Sequence, residues 1–165
     1  MYDIYLFSGC DVAPDMDVLQ DLLQGVDLAD VVDRVTLRYP GFLGLSLEKE
    51  IAIQLLKAVM VCFAEGIYLP KEYEVPVITE EYAANVGNVE LQRVKYEYPN
   101  LHFLPPSVIS RHVLWYDVII TCSEWQEDDD LIPGAIILYV DKIDGHIWRK
   151  EDLDSFFFDQ PVKRM

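Results

Sequence analysis

Basic residues are what this chain has least of. Thirteen Lys and Arg stand against twenty-nine Asp and Glu in 165 residues, a formal net charge of −16 with a sequence pI near 4.3. Proteins that grip nucleic acid neutralise its phosphates with clustered cations. The largest clusters here are the pairs Arg149-Lys150 and Lys163-Arg164, which excludes nucleic acid as the expected partner. An anionic membrane surface repels the same charge. Long apolar runs are also missing. The longest, 51 to 64, is interrupted by Gln54 and Lys57 and falls short of the roughly 20 residues that span a bilayer. The opening Met1-Tyr2-Asp3-Ile4-Tyr5 carries neither the basic stretch nor the apolar segment of a signal peptide. The expected compartment is the cytoplasm.

Cysteine and histidine are equally sparse. Cys10, Cys62 and Cys122 lie far apart, and no CxxC pair occurs, so zinc ribbons and thioredoxin-like redox motifs have no local support. Cys62 and Cys122 sit in apolar runs and read as small buried hydrophobes. Cys10 follows Gly9 at the end of a strand-like run, a place where reactive thiols occur, and reads as a buried or incidental thiol in preference to a reactive one. His102, His112 and His146 form no HxH or HExxH pattern, and no transition metal is expected. No cofactor is expected either. Neither the dinucleotide fingerprint nor the phosphate-loop pattern occurs, and the nucleophile elbow G-x-S-x-G is absent. The segment Gly41-Phe42-Leu43-Gly44 precedes a helix start, but Glu48 and Glu50 occupy the first turn and argue against phosphate. It reads as a loop packing Phe42 and Leu43.

Apolar residues, by contrast, are plentiful at 52%. A disordered acidic chain lacks that content, and a domain of this length builds a core without metal or disulfide. We read residues 1–165 as one globular α+β domain with an acidic skin. Tyr2 to Phe7 reads as a strand. Val18, Leu19, Leu22 and Leu23 mark a short helix from Asp15 to Gly25, and a second one over Leu28 to Val35 competes with a strand over 35–39. Ser46 opens the clearest helix, which runs to about Glu65 and stops at Gly66. Its apolar residues, from Ile51 through Leu55 and Val59 to Phe63, surround most of its circumference, so it is the central helix or is finished by a second copy. Residues 67–76 hold two prolines and read as a connection. Thr79 to Tyr98 is helical with an interruption at Gly87-Asn88. Val113 to Cys122 and Ala135 to Val140 read as strands, Asp144-Gly145 as a tight turn, and Glu151 to Phe158 as a last helix. Strand, helices, then hairpin-spaced strands point to an antiparallel sheet whose C-terminal hairpin packs on the long apolar helix.

Two acidic tracts carry the functional reading. The first holds Asp11, Asp15, Asp17, Asp21, Asp27, Asp30 and Asp33, with no basic residue before Arg34. Its structural explanation is a solvated outer face; its functional explanation is a negative face for a basic partner. Like charges at Asp17 and Asp21 cost a helix a few tenths of a kcal/mol. The second tract is Glu124, Glu127, Asp128, Asp129 and Asp130, with Trp125 inside it. It reads as an exposed hairpin loop. There it either discourages strand pairing or offers Trp125 as an aromatic anchor among carboxylates that meet Lys and Arg. Asp141-Lys142-Ile143-Asp144-Gly145-His146 has the wrong spacing for a calcium loop and reads as a β-turn.

Taken together, the sequence points to a non-catalytic acidic interaction protein that binds a basic protein. Its concrete version is a bacterial immunity-type inhibitor of a basic toxin such as a nuclease. The chain resembles such proteins in size, acidity and the strand–loop–hairpin run from Val113 to Trp148. No motif specifies that class. The alternatives are an enzyme with a cryptic site for a small cationic or neutral substrate, and a homo-oligomer subunit joined through the Ile51–Phe63 helix.

Overall fold

The computed structural model describes residues 1–7, 17, 20, 21, 41–60, 65–127 and 134–161. The chain is α+β, and its described strands form two antiparallel three-stranded sheets. Two compact units carry one sheet each: Met1–Glu74 with Ser155–Met165, and Val75–Asp154. The expected helices over Asp15 to Val35 and the strand over 35–39 lie outside the described residues, apart from positions 17, 20 and 21. Among the described residues no helix is long and apolar enough to cross a membrane.

In the first unit, β1 (Tyr2–Leu6) runs antiparallel to β2 (Gly41–Phe42) and to β3 (Gly66–Pro70), with β1 in the middle. Alternation along β1 puts Ile4 and Leu6 on one face, and α1 (Lys49–Met60) packs against it with Ala52, Leu55, Leu56 and Val59. Leu55 and Val59 are therefore core residues, as the periodicity implies. Ile51, Ile53 and Met60 are half-buried against the same core, while Gln54 and Lys57 face water. The apolar side chains of the described helix thus already have neighbours within their own unit.

Two sequence expectations are corrected here. The helix starts at Lys49, not at Ser46, because Leu47 exchanges backbone hydrogen bonds with Tyr2 at 2.8 and 2.9 Å. Residues 67–70 form a strand and not a connection. Pro70 is tolerated because it ends an edge strand, where no ladder bond is lost. The outer edge of β3 is closed by one side chain: the Gln160 carboxamide accepts from Tyr68 N at 3.0 Å and donates to Tyr68 O at 2.9 Å. An amide placed this way imitates a neighbouring strand and blunts an exposed edge.

The other face of β1 buries a charge. Asp3 is fully buried. Its carboxylate accepts from the backbone N–H of Ile4 (2.8 Å), Leu45 (2.9 Å) and Gly44 (2.9 Å). Gly44 has φ of 73°, a conformation that suits glycine. Asp3 thereby ties the segment after β2 back onto β1. Burial first, then the neighbouring Asp3 carboxyl, raises the Glu74 carboxyl above its ordinary range, against the pull of Lys71.

In the second unit, β4 (Ser107–Arg111), β5 (Trp115–Ile120) and β6 (Ile136–Asp141) form a sheet with β5 central. One face, with Tyr116, Val118, Ile120, Leu138 and Val140, packs on α2 (Glu80–Glu97) through Ala83, Leu91 and Val94. The hairpin therefore rests on α2 within its own unit, and α1 serves the other sheet. Thr79 caps α2, its Oγ1 accepting from Tyr82 N at 3.2 Å. The helix passes through Gly87 without interruption. A Cβ there would stand 2.7 Å from Val118 Cγ1 and 2.8 Å from Pro106 Cβ, so glycine marks a close approach of helix to sheet and not a break. Strand β4 escapes the sequence reading because its side chains are largely exposed and it bulges between Val108 and Ser110. The short α3 (Ser123–Glu127) follows β5, and α4 (Lys150–Phe158) closes the described chain where a last helix is expected.

Candidate functional site

The second acidic tract departs from its expected form. Residues 123–127 are helical, and Trp125 is a core residue, only 5% exposed. Its indole meets Tyr98 and Phe103 edge to face, at 5.6 Å and 83° and at 5.5 Å and 87°. An aromatic anchor for a partner must be accessible, so Trp125 is not one. Cys122 bridges Phe103 just before the helix, and Trp125 packs on that same Phe103 ring.

Glu124 is also committed. Its carboxylate accepts from His102 N at 3.1 Å and lies 2.5 Å from His102 Nδ1. The His102 contact, foremost, holds Glu124 down to about 2. Beneath it Cys122 is fully buried, and burial pushes its thiol up, so this cysteine is the small hydrophobe its apolar run implies. Glu127 is exposed, while Asp128, Asp129 and Asp130 lie outside the described residues. Of the first tract, Asp17 and Asp21 are exposed, and Asp27 and Asp30 lie outside the described residues.

Four of the described cations form internal ion pairs. Arg93 pairs with Glu90 at 2.5 Å and with Glu97, and Arg111 with Glu80 at 2.5 Å. Lys49 pairs with Asp159 at 3.4 Å and Lys71 with Glu74 at 3.8 Å. Lys142 is partly buried over the Tyr116 ring, 5.0 Å from its centre, and burial lowers its pKa. Each such pair stabilises little. The excess of acids over bases leaves carboxylates in surplus on the surface, among them Glu81, Glu127, Glu151 and Asp154.

The outer face of the second sheet holds an aromatic shelf that the sequence does not announce. Trp115 stacks on His112 at 4.0 Å and 19° and meets Tyr139 at 5.1 Å and Trp148 at 5.4 Å. Both indole N–H groups are satisfied, Trp115 by Asp117 at 2.9 Å and Trp148 by Asp141 at 2.8 Å. His112 Nδ1 accepts from Leu114 N at 3.3 Å, a bond that needs an unprotonated nitrogen. Burial lowers the His112 pKa from 6.5 to about 4; Lys142 works in the same direction and Asp117 against it. A depressed histidine is neutral in the fold but takes a proton when unfolded. Stability held by His112 is therefore present above about pH 6.5 and lost as pH falls toward about 4. After discounting for its partial exposure, the loss is roughly 1–2 kcal/mol. Urea unfolding midpoints at pH 7, 6 and 5 should show it, and His112→Phe, which keeps the stack, should lose less stability over that interval than the parent chain.

The turn after β6 gathers three metal-type ligands: atoms of Asp141, Asp144 and His146 lie within 4.8 Å of one another. Their oxygens already serve the turn. Asp141 Oδ1 accepts from Ile143 N (2.7 Å) and Asp144 N (3.2 Å), its Oδ2 from Trp148, and Asp144 Oδ1 from His146 N at 3.0 Å. This is a tight turn where Asp144-Gly145 implies one, closed by Gly145 N–H to Asp141 O at 3.2 Å and not by a β-turn bond, with Gly145 at φ of 76°.

Beside it lies a cleft of about 710 Å³, lined by Glu90 and Arg93 of α2, Leu138 of β6, His146 and Ile147 after the turn, and Arg149 and Asp152 at the start of α4. Every lining residue belongs to the second unit. The lining offers guanidinium, imidazole and carboxylate groups over an apolar floor, a set suited to holding a ligand by charge and shape. Family models, curated proteins and solved structures were all compared with this chain, and none of them matches.

Proposed function

We propose that this chain is an acidic interaction protein that acts in the cytoplasm by binding a basic protein, with an immunity-type inhibitor of a basic toxin as the concrete form. The observation that carries this reading is the charge balance: twenty-nine Asp and Glu stand against thirteen Lys and Arg, and Glu81, Glu127, Glu151 and Asp154 are among the exposed carboxylates. A negative field of this kind steers a positive partner into encounter and repels acidic competitors. The residues proposed to meet the partner are those of the two acidic sequence tracts: Glu127 and Asp21, both exposed, with Asp17, Asp27, Asp30, Asp128, Asp129 and Asp130. Trp125 takes no part, since it belongs to the core.

The test is capture from the source cell on immobilised protein, washed at rising salt. The retained partner should be a basic protein, and it should be released between about 0.05 and 0.5 M salt as the Debye length shrinks. An acidic partner, or one indifferent to salt, would count against the proposal.

A further inference from the structure

We propose that the cleft between α2, β6 and the start of α4 binds a small monocarboxylate with a short hydrocarbon part. The inference is independent of the basic-partner reading. A volume of about 710 Å³ falls in the range of small-molecule sites, roughly 300–1,000 Å³. Most of the polar groups in the lining are already engaged. Glu90 and Glu97 hold Arg93 from both sides. Asp152 Oδ2 accepts from the backbone N–H of Arg149 at 2.8 Å, and His146 Nδ1 lies 2.6 Å from Asp144.

The Arg149 guanidinium is different. Among the described residues it has no carboxylate partner, in a chain where Arg93 and Arg111 both have one. Asp152 fixes its backbone, so the side chain springs from a set point at the rim. A guanidinium presents its donors as a planar fork that a carboxylate fills with two parallel bonds. Leu138 and Ile147 supply the apolar contact for the hydrocarbon.

The neighbouring charges select the ligand further. Glu90 and Asp152 line the same cleft, so one open cation is all that an anion finds there. A monoanion matches it, whereas a doubly charged phosphate faces two carboxylates with a single guanidinium in compensation. An ammonium is disfavoured because both carboxylates are already bonded within the fold.

The experiment is an amide-resolved NMR titration of the full chain with N-acetyl-L-leucinate, its uncharged twin N-acetyl-L-leucinamide, and inorganic phosphate. Saturable shifts at Ile147 and Arg149 are expected from the carboxylate, with binding at least about tenfold weaker for the amide. Arg149→Gln should weaken carboxylate binding about tenfold to a hundredfold. Arg149→Lys, which keeps the charge but not the fork, should fall between. Both variants leave the Asp152 contact to the backbone in place, and an unchanged unfolding midpoint verifies the fold. Absence of saturable shifts, equal titration by acid and amide, tighter binding of phosphate, or full affinity in Arg149→Gln would each overturn the proposal.

Discussion

Trp125→Ala is expected to cost the second unit about 3–5 kcal/mol, the range for emptying an aromatic site in a packed core. The indole is 5% exposed and lies edge to face on both Tyr98 and Phe103. Such pairs add about 0.5–1.5 kcal/mol beyond the area they bury. Helix α3 spans only Ser123–Glu127, far too short to persist alone. It is held by what Trp125 buries and by the Glu124 contact to His102. Trp125→Phe should recover much of the loss, because a ring still fills the site. Urea unfolding followed by far-UV circular dichroism separates the variants. An alanine variant as stable as the parent chain, with faster release of a basic partner, would restore Trp125 as a binding anchor and refute its place in the core.

Asp3→Ala should be comparably severe in the first unit. It removes the acceptor for three backbone N–H groups, those of Ile4, Gly44 and Leu45. Each unpaired buried donor costs about 1–3 kcal/mol, so a total of about 3–5 kcal/mol is expected once partial rehydration is allowed for. Asp3→Asn should be milder, since one oxygen remains. Hydrogen exchange gives the local readout: the amides of Gly44 and Leu45 should exchange much faster in the alanine variant. Unaltered protection at both positions would show that Asp3 does not hold this loop.

These two residues also show where the sequence is readable. Strand β1, strand β6 and the core side of α1 follow from local apolar spacing, α4 lies where a last helix is expected, and the α+β class follows from their order. Asp3 does not stand out, because two of its three donors lie 41 and 42 residues away and no local pattern marks them. Pro70 conceals β3, since its harmlessness depends on β3 being an edge strand. Gly87 reads as a break until the approach of Val118 and Pro106 gives it a packing role. Trp125 sits among carboxylates, and its neighbours in sequence suggest water while its neighbours in space are aromatic. The total charge is legible from composition. Which charges cancel is not, because Arg111 meets Glu80 across 31 residues.

Recruitment of a basic protein by the acidic tracts is read in association kinetics. With the captured partner in hand, the association rate is measured over a salt series for the parent chain and for a variant carrying Asp128→Asn, Asp129→Asn and Asp130→Asn. The rate should fall steeply with salt in the parent chain, and the variant should associate more slowly at low salt with little change in dissociation. Equal association rates in both proteins, independent of salt, would contradict the claim.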